Sequence, residues 1–367
     1  MKPDYAVPPG TYLKEYLDDG DLNRYDLTRG LGLDDDKIDR LLSGEIEIDE
    51  PMAGALEELT GAPQSSWLRL EEFYRSELAR IEQETEEKQL VIDLHAAKLD
   101  KYLRDMGLIN ATMRNPAAMR HEFLDLHNCE DLREFELTSE QLLRTGTERV
   151  AALKVGAKYE LDDLRVMTWL EVGHRLHQKN SPHFPDYDVA ALESVIPSLR
   201  VACRYPNDTL PIRVSQILAK AGVGFVCVPP PPKLSLFGMT RWLQTGNPLI
   251  QLTGMYRDAG HFTHALFHEL GHVLDHPNRD FYDSPKTQNR EERVANKFAY
   301  QTLLGPNGLT ALDGVRTQDQ VVAKAQELSV APGLIVMYLR RRKQIRHSEL
   351  HSLCIKLPKP DIRDLLG

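Results

Sequence analysis

The chain is poor in cysteine. Four occur in 367 residues (Cys129, Cys203, Cys227 and Cys354), far apart and without a CxxC pair. That spacing argues against a cysteine metal cluster and a dithiol redox motif. It predicts free, mostly buried thiols in a reducing compartment. Long apolar runs are also missing, since no stretch approaches the ~18 to 20 residues of a membrane span. The opening Met1-Lys2-Pro3-Asp4-Tyr5 lacks an apolar core, so no secretory signal is expected. Nor is there an internal repeat, which argues against a solenoid. A soluble cytoplasmic protein without a membrane partner is the expectation.

What is present is 41% hydrophobic and 27% charged, ordinary for a globular chain with ample core. The formal net charge is -10, and its distribution is uneven. Residues 1–80 hold nine Lys+Arg against nineteen Asp+Glu and so carry the whole imbalance.

Three regions are expected: a helical bundle over 1–80, a helical linker or spacer over 81–205 and a third domain over 206–367. In the first, short amphipathic runs cover Thr11–Leu17, Arg24–Leu31 and Asp34–Leu42, with Ser43-Gly44 as a stop. Pro51 opens a fourth helix to Leu59. Ser65 to about Leu103 reads as one long helix or two. In the spacer, helices are expected over Glu140–Val155, Asp162–Gln178 and Asp188–Cys203, with a loop at 180–185. After Ile212 strands are expected at Val223–Val228, Leu234–Leu243 and Pro248–Thr253. Pro229–Pro232 is a rigid turn. Helices follow over His261–His276 and Arg290–Leu303, and two more lie around Pro332-Gly333. The fold class is therefore α+β and mostly helical, with a small sheet confined to the third domain.

The chemistry lies in His268-Glu269-Leu270-Gly271-His272. Histidines four apart on a helix point the same way, one turn apart. That spacing suits two ligands of one Zn²⁺ at about 2.0–2.1 Å each. Glu269 then projects beside the metal, where it can deprotonate bound water. Gly271 within the helix costs ~1 kcal/mol relative to Ala, which predicts close approach by another backbone, expected to be the sheet. The bland alternative is an amphipathic helix with two solvent-facing histidines. His264 and His276 extend the ladder, but at ~1.5 Å per residue the outer pair cannot share one ion. His276 is read as a helix-end cation, His264 as packed or exposed, and His261 as capping the helix or facing the cleft.

A zinc peptidase needs a third protein ligand and leaves a fourth position for water. Glu292 borders the packed face formed by Ala295, Phe298, Ala299 and Leu303, and Glu291 is its competitor. Asp275, Asp280 and Asp283 fall in or near the connection and are less suited. The metal is expected to be zinc, although such a donor set also accepts Mn²⁺. A second oxyanion donor is sought among Tyr256, Tyr282, Tyr300 and the nearby histidines. The strand at Pro248–Thr253 is expected to be the sheet edge that pairs with an extended substrate.

With these words in hand, residues from about 222 to 342 resemble the ImmA/IrrE metallopeptidase family. The matching segments are Thr240-Arg241-Trp242-Leu243, Pro248-Leu249-Ile250-Gln251-Leu252, Phe262 to His276, and Glu292-x-x-Ala295-x-x-Phe298-Ala299. Glu327 to Pro332 is a weaker match. The resemblance favours Glu292 over Glu291. It implies a zincin-like domain of gluzincin type and site-specific cleavage of a partner protein, often a repressor or antitoxin.

The N-terminal unit resembles a HigA-type helix-turn-helix domain of the Xre class, through Pro8-Pro9-Gly10, Leu31-Gly32-Leu33, Leu42-Ser43-Gly44 and Trp67-Leu68. Trp169-Leu170 fits proteins that fuse the two modules. In such motifs the second helix enters the major groove. Here it begins Asp34-Asp35-Asp36, against a duplex carrying one negative charge per ~1.7 Å. DNA binding is thus disfavoured, with Lys14, Arg24, Arg29 and Arg40 as the cations that could still gather for it. Protein recognition or homodimerisation is preferred. The expected function is zinc-dependent regulatory cleavage of a specific partner in a stress-response, phage or toxin–antitoxin setting. Its rivals are a DNA-binding antitoxin or transcription regulator with a non-catalytic metal site, and a module sequestering a small basic toxin.

Overall fold

A computed structural model describes residues 5–144, 161–180, 185–254, 258–275, 281–283 and 290–358. The chain forms two compact units, residues 1–90 and 91–367, so the division falls inside a helix. No helix among the described residues is long and apolar enough to cross a membrane.

The first unit is helical. α1 (Gly10–Asp18), α2 (Arg24–Leu31), α3 (Asp35–Leu42) and α4 (Glu50–Thr60) precede the long α5 (Gln64–Ala96). Their starts follow side-chain capping. Asn23 and Asp26 form a reciprocal box on α2, while Asp34 and Asp49 accept from the backbone N–H of Lys37 and Met52. The α2–α3 turn closes on Gly32 at φ 66°, a conformation that suits glycine. Leu13, Leu27, Ile38, Leu41, Leu56 and Trp67 form the centre of this core.

Ser65 to Leu103 is two helices. α5 ends at Ala96 and α6 (Leu99–Asp105) begins after Lys98, whose φ of 61° is incompatible with a continuous helix. In the second unit follow α7 (Pro116–Leu126), α8 (Leu132–Arg144), α9 (Leu161–Asn180), α10 (Val189–Arg204) and α11 (Leu210–Ala219). The helix expected at Glu140–Val155 is shifted toward the N-terminus as α8, and residues 145–155 lie outside the described residues. Of the loop expected at 180–185, Asn180 is still helical and 181–184 lie outside the described residues.

The sheet has order β1-β3-β2-β4, from β1 (Gly224–Cys227), β2 (Gly238–Trp242), β3 (Pro248–Leu252) and β4 (Phe281–Asp283). β1 runs parallel to β3, and β2 is antiparallel to both β3 and β4. Strand structure begins at Gly238 rather than Leu234. Leu234 and Leu236 are buried in the preceding turn, so their apolar character marks burial and not pairing. α12 (Ala259–Asp275), α13 (Arg290–Leu304), α14 (Gln318–Leu328) and α15 (Pro332–Arg341) complete the unit.

The structure draws one division where two were expected from sequence. Residues 91–205 share a unit with 206–358 because α9 is bolted to the sheet. Trp169 Nε1 donates to Val228 O at 3.0 Å, Gln251 Nε2 to Trp169 O at 2.7 Å, and Arg241 Nη2 to Leu170 O at 3.1 Å. All three side chains are buried, where an unmade bond would cost about 1–3 kcal/mol. The proline turn is held from the same side, by Tyr102 Oη donating to Pro229 O at 2.7 Å.

His127 lies between the rings of Phe123 and Phe135 at 4.6 and 4.9 Å. Burial lowers its pKa from 6.5 to about 4, with the Arg175 charge adding and the Glu171 charge opposing. Below pH 6.5 the unfolded chain therefore takes a proton that the folded chain refuses. Stability is full above that pH and falls by up to roughly 3 kcal/mol as pH drops toward 4. In urea titrations at a series of pH values, His127→Phe should flatten this part of the profile. An unchanged slope would show that His127 does not set it.

Candidate metal centre

α12 starts at Asp258, whose Oδ1 accepts from His261 N and faces His261 Nδ1, both at 3.1 Å. Burial raises the pKa of Asp258, but its bonds with His261 outweigh that and lower it overall. His261 thus belongs to the helix start. Beyond it, nearly every residue from Ala259 to Val273 is buried, with Leu266, Phe267, Leu270 and Val273 fully in the core. The helix is buried all round, so its polar residues must be satisfied inside the protein.

α13 passes α12 at Gly271. A Cβ there would stand 2.9 Å from Ala295 Cα and 3.1 Å from Ala295 O. The close neighbour is therefore α13 and not the sheet, which corrects the expectation from sequence. Glycine faces alanine, so the two backbones meet closely, and Glu292 reaches α12 from one turn before Ala295.

The result is a triangle of donor atoms. His268 Nε2 and His272 Nε2 are 3.2 Å apart, and Glu292 places Oε2 at 3.1 Å from the first and Oε1 at 3.4 Å from the second. Three donors each about 2.0–2.1 Å from one tetrahedral ion would be separated by about 3.3 Å. The nitrogen–nitrogen distance and the distance from each nitrogen to one of the Glu292 oxygens are near that spacing, and the two-histidine, one-carboxylate set suits Zn²⁺ or Mn²⁺. All three side chains are at most 4% exposed. Burial pushes the Glu292 pKa up, yet its hydrogen bonds with His268 and His272 bring it down to about 2. Among the described residues this is the group of His, Cys, Asp and Glu that converges on a point able to hold a metal. Glu291 is outside it.

Glu269 follows His268 on α12 and is fully buried. Thr240 Oγ1 donates to its Oε2 at 2.7 Å, and a Cβ on Gly238 would come within 2.8 Å of its Oε1. Gly238 and Thr240 share one face of β2, two residues apart. One supplies room for the carboxylate and the other supplies a donor. The sequence reading quoted Thr240 only within a family segment and did not single out Gly238. The available signal was their period-two spacing on a strand destined to meet the HELGH helix.

His264 is also part of a network, one turn before His268, with the two rings 6.1 Å apart. Arg341 Nη1 lies 2.8 Å from His264 Nε2, and Tyr338 Oη lies 3.1 Å from Nδ1. A guanidinium can only donate, so Nε2 accepts and the proton of the neutral ring is on Nδ1, which donates to Tyr338. Burial, followed by the charge of Arg341, pushes the His264 pKa well below 6.5, in agreement with a neutral ring. Tyr300 stacks on it at 5.6 Å with planes 10° apart. Of the oxyanion candidates, Tyr300 is thus placed against His264. Tyr256 and His276 lie outside the described residues, as does Asp280, and Tyr282 contributes its backbone to β4.

The substrate-pairing expectation for Pro248–Thr253 is overturned by topology. β3 is an inner strand, bonded to β1 on one side and β2 on the other, so it offers no open edge. A comparison of the chain with protein-family models, curated proteins and solved structures yields no match.

The α12–α13 contact has a direct test. Gly271→Ala forces Ala295 away, and overpacking of this kind costs about 1–3 kcal/mol. Zinc affinity, measured by competition with a chromophoric chelator, should fall about tenfold or more. Retained affinity would show that the close approach does not position Glu292.

Proposed function

We propose that the chain is a zinc-dependent regulatory endopeptidase that cuts a specific partner protein in the cytoplasm. The observation that carries this reading is the buried His268–His272–Glu292 cluster, on a helix that also carries a fully buried Glu269 carboxylate held by Thr240. A purely structural site would have no use for a second buried carboxylate next to a ligand in sequence and held by its own hydrogen bond. The resemblance to the ImmA/IrrE family supports the same conclusion and suggests a repressor or antitoxin as the protein cut.

His268, His272 and Glu292 would hold the ion, which when bound supplies Lewis acidity and lowers the pKa of water. Glu269 takes a proton from water and returns it to the leaving amine. Thr240 keeps that carboxylate in one orientation through its 2.7 Å bond. Close packing of β2 over Glu269 limits the water around it, which strengthens its electrostatic influence.

For the N-terminal unit we favour protein recognition, including pairing with a second copy, over DNA binding. α3, the second helix of the expected helix-turn-helix pair, carries Asp34, Asp35 and Asp36 at its start. Two of the cations that could oppose them are engaged, Arg24 with Asp39 at 2.6 Å and Arg40 with Glu45 at 3.1 Å. Mobility-shift titrations across salt concentrations test this, and tight salt-dependent operator binding would reverse it.

Co-expression with the protein encoded beside this gene, followed by mass spectrometry, tests the activity. Wild type should yield two fragments of the partner, and Glu269→Gln should yield none while still binding zinc. Cleavage by a metal-loaded Glu269→Gln protein would eliminate the mechanism. Thr240→Val should lower kcat by about tenfold with little change in KM, the loss expected for one hydrogen bond to a charged group, and Thr240→Ser should restore most of it. Equal loss in both variants would show that the hydroxyl plays no part.

A further inference from the structure

The C-terminal end of α15 opens into a groove of about 800 Å³ that the proposed reaction does not use. Arg340, Arg341, Lys343, Arg346, His347 and Glu349 line it. The lining thus carries three arginines and a lysine against a single carboxylate, with Lys343 and Arg346 exposed and the Arg340 and Arg341 guanidinium groups each holding an internal partner. That carboxylate offsets them weakly, since Glu349 lies 4.0 Å from Arg346 Nε and the Arg346 side chain is 89% exposed. Arg340 is fixed by donating to the Glu349 backbone carbonyl at 2.7 Å. Arg341 joins the groove to the metal centre, because the same side chain donates to His264, whose ring is 6.1 Å from that of His268.

We propose that this groove binds an acidic stretch of the protein substrate next to the peptide bond that is cut. The inference rests on the endopeptidase reading for the cut, but not for the binding. Guanidinium forks match carboxylates in geometry as well as charge. A nucleic acid fits less well. Apart from His347 no aromatic side chain lines the groove to stack a base. A carboxylate in the lining is tolerable for a peptide that alternates acids with neutral residues, and repels a continuous phosphate backbone.

The test uses the full-length, zinc-loaded Glu269→Gln protein, so that binding is read without turnover. Fluorescein-labelled decapeptides of alternating Glu and Gly, or Gln and Gly, are titrated by fluorescence polarisation, alongside a labelled DNA duplex. The Glu peptide should bind at least about tenfold more tightly than the Gln peptide. Lys343→Glu with Arg346→Glu, both at exposed positions, should remove that preference while circular dichroism and zinc content stay unchanged. A preference that survives the double variant, or a duplex that binds more tightly than the Glu peptide, overturns the proposal. The catalytically intact protein is then given a random peptide library. Acidic residues should be enriched on one side of the cut in wild type and lose that enrichment in the double variant. Acidic binding with no cleavage of any peptide would sink the endopeptidase reading, and with it the position beside a cut, while the groove's preference for acidic chains would stand. Cleavage without acidic enrichment would leave the peptidase and sink the groove.

Discussion

The centre depends on how closely α13 can pass α12. Gly271 and Ala295 meet at a distance no larger pair would allow. Glu292 sits one turn from that contact, so the separation of two helix backbones fixes the separation of the carboxylate from two imidazoles. A few tenths of an ångström matter here, because the two imidazole nitrogens lie 3.2 Å apart and each is 3.1 to 3.4 Å from an oxygen of Glu292. Such a contact carries a helix-propensity penalty of ~1 kcal/mol for glycine. What it gains is a carboxylate inside a dry core, where burying one without partners would cost far more. The same logic holds one layer away, where Gly238 leaves space for Glu269 and Thr240 bonds it.

The sheet matters as the wall behind this arrangement. β2 supplies Gly238 and Thr240, so its placement relative to α12 governs Glu269. β2 is held by β3, and β3 is in turn held by α9 through Gln251 and Trp169. α9 itself is clamped at its far side by Arg175, which donates to the carbonyls of Asp125 and Leu126. A chain of polar bonds therefore runs from the middle region to the Glu269 carboxylate. This explains why residues 91–205 share a unit with the site, and why that region carries buried arginine, histidine and tryptophan where a simple spacer would need only apolar faces.

Legibility in the sequence followed the range of the interaction. The histidine pair was readable because its i, i+4 geometry is internal to one helix. The packed face of α13, counted from Ala295 and Phe298, pointed to Glu292 but left Glu291 as a competitor, and only the family resemblance favoured one over the other. The identity of Gly271's neighbour was not readable, since a glycine signals proximity without naming the partner. Leu234 and Leu236 looked like strand because burial and pairing leave the same apolar trace. β3 looked like an edge for a related reason, as strand order depends on which segments meet. The break at Lys98 left no proline or glycine to mark it, and a lysine in left-handed conformation is invisible to pattern. His264 was undervalued because its partners, Tyr338 and Arg341, lie more than seventy residues away.

Charge at helix ends shows how a bland explanation and a functional one can be separated. Acids at the start of α3 and cations at the end of α15 both complement a helix dipole, for about 0.3–1 kcal/mol each. The dipole accounts for their sign and not for their surroundings. Arg24 and Arg40 of the first unit are drawn into local ion pairs with Asp39 and Glu45, which leaves its acids as the surplus. At α15 the surplus is positive, and it extends past the helix to Lys343 and Arg346, beyond the last turn where the dipole is felt. Lys343 also holds a φ of 55°, a conformation glycine would adopt more cheaply at a helix end. Dipole stabilisation alone would favour glycine at that position. A cation there fits a surface selected for the charge it presents to something outside the chain.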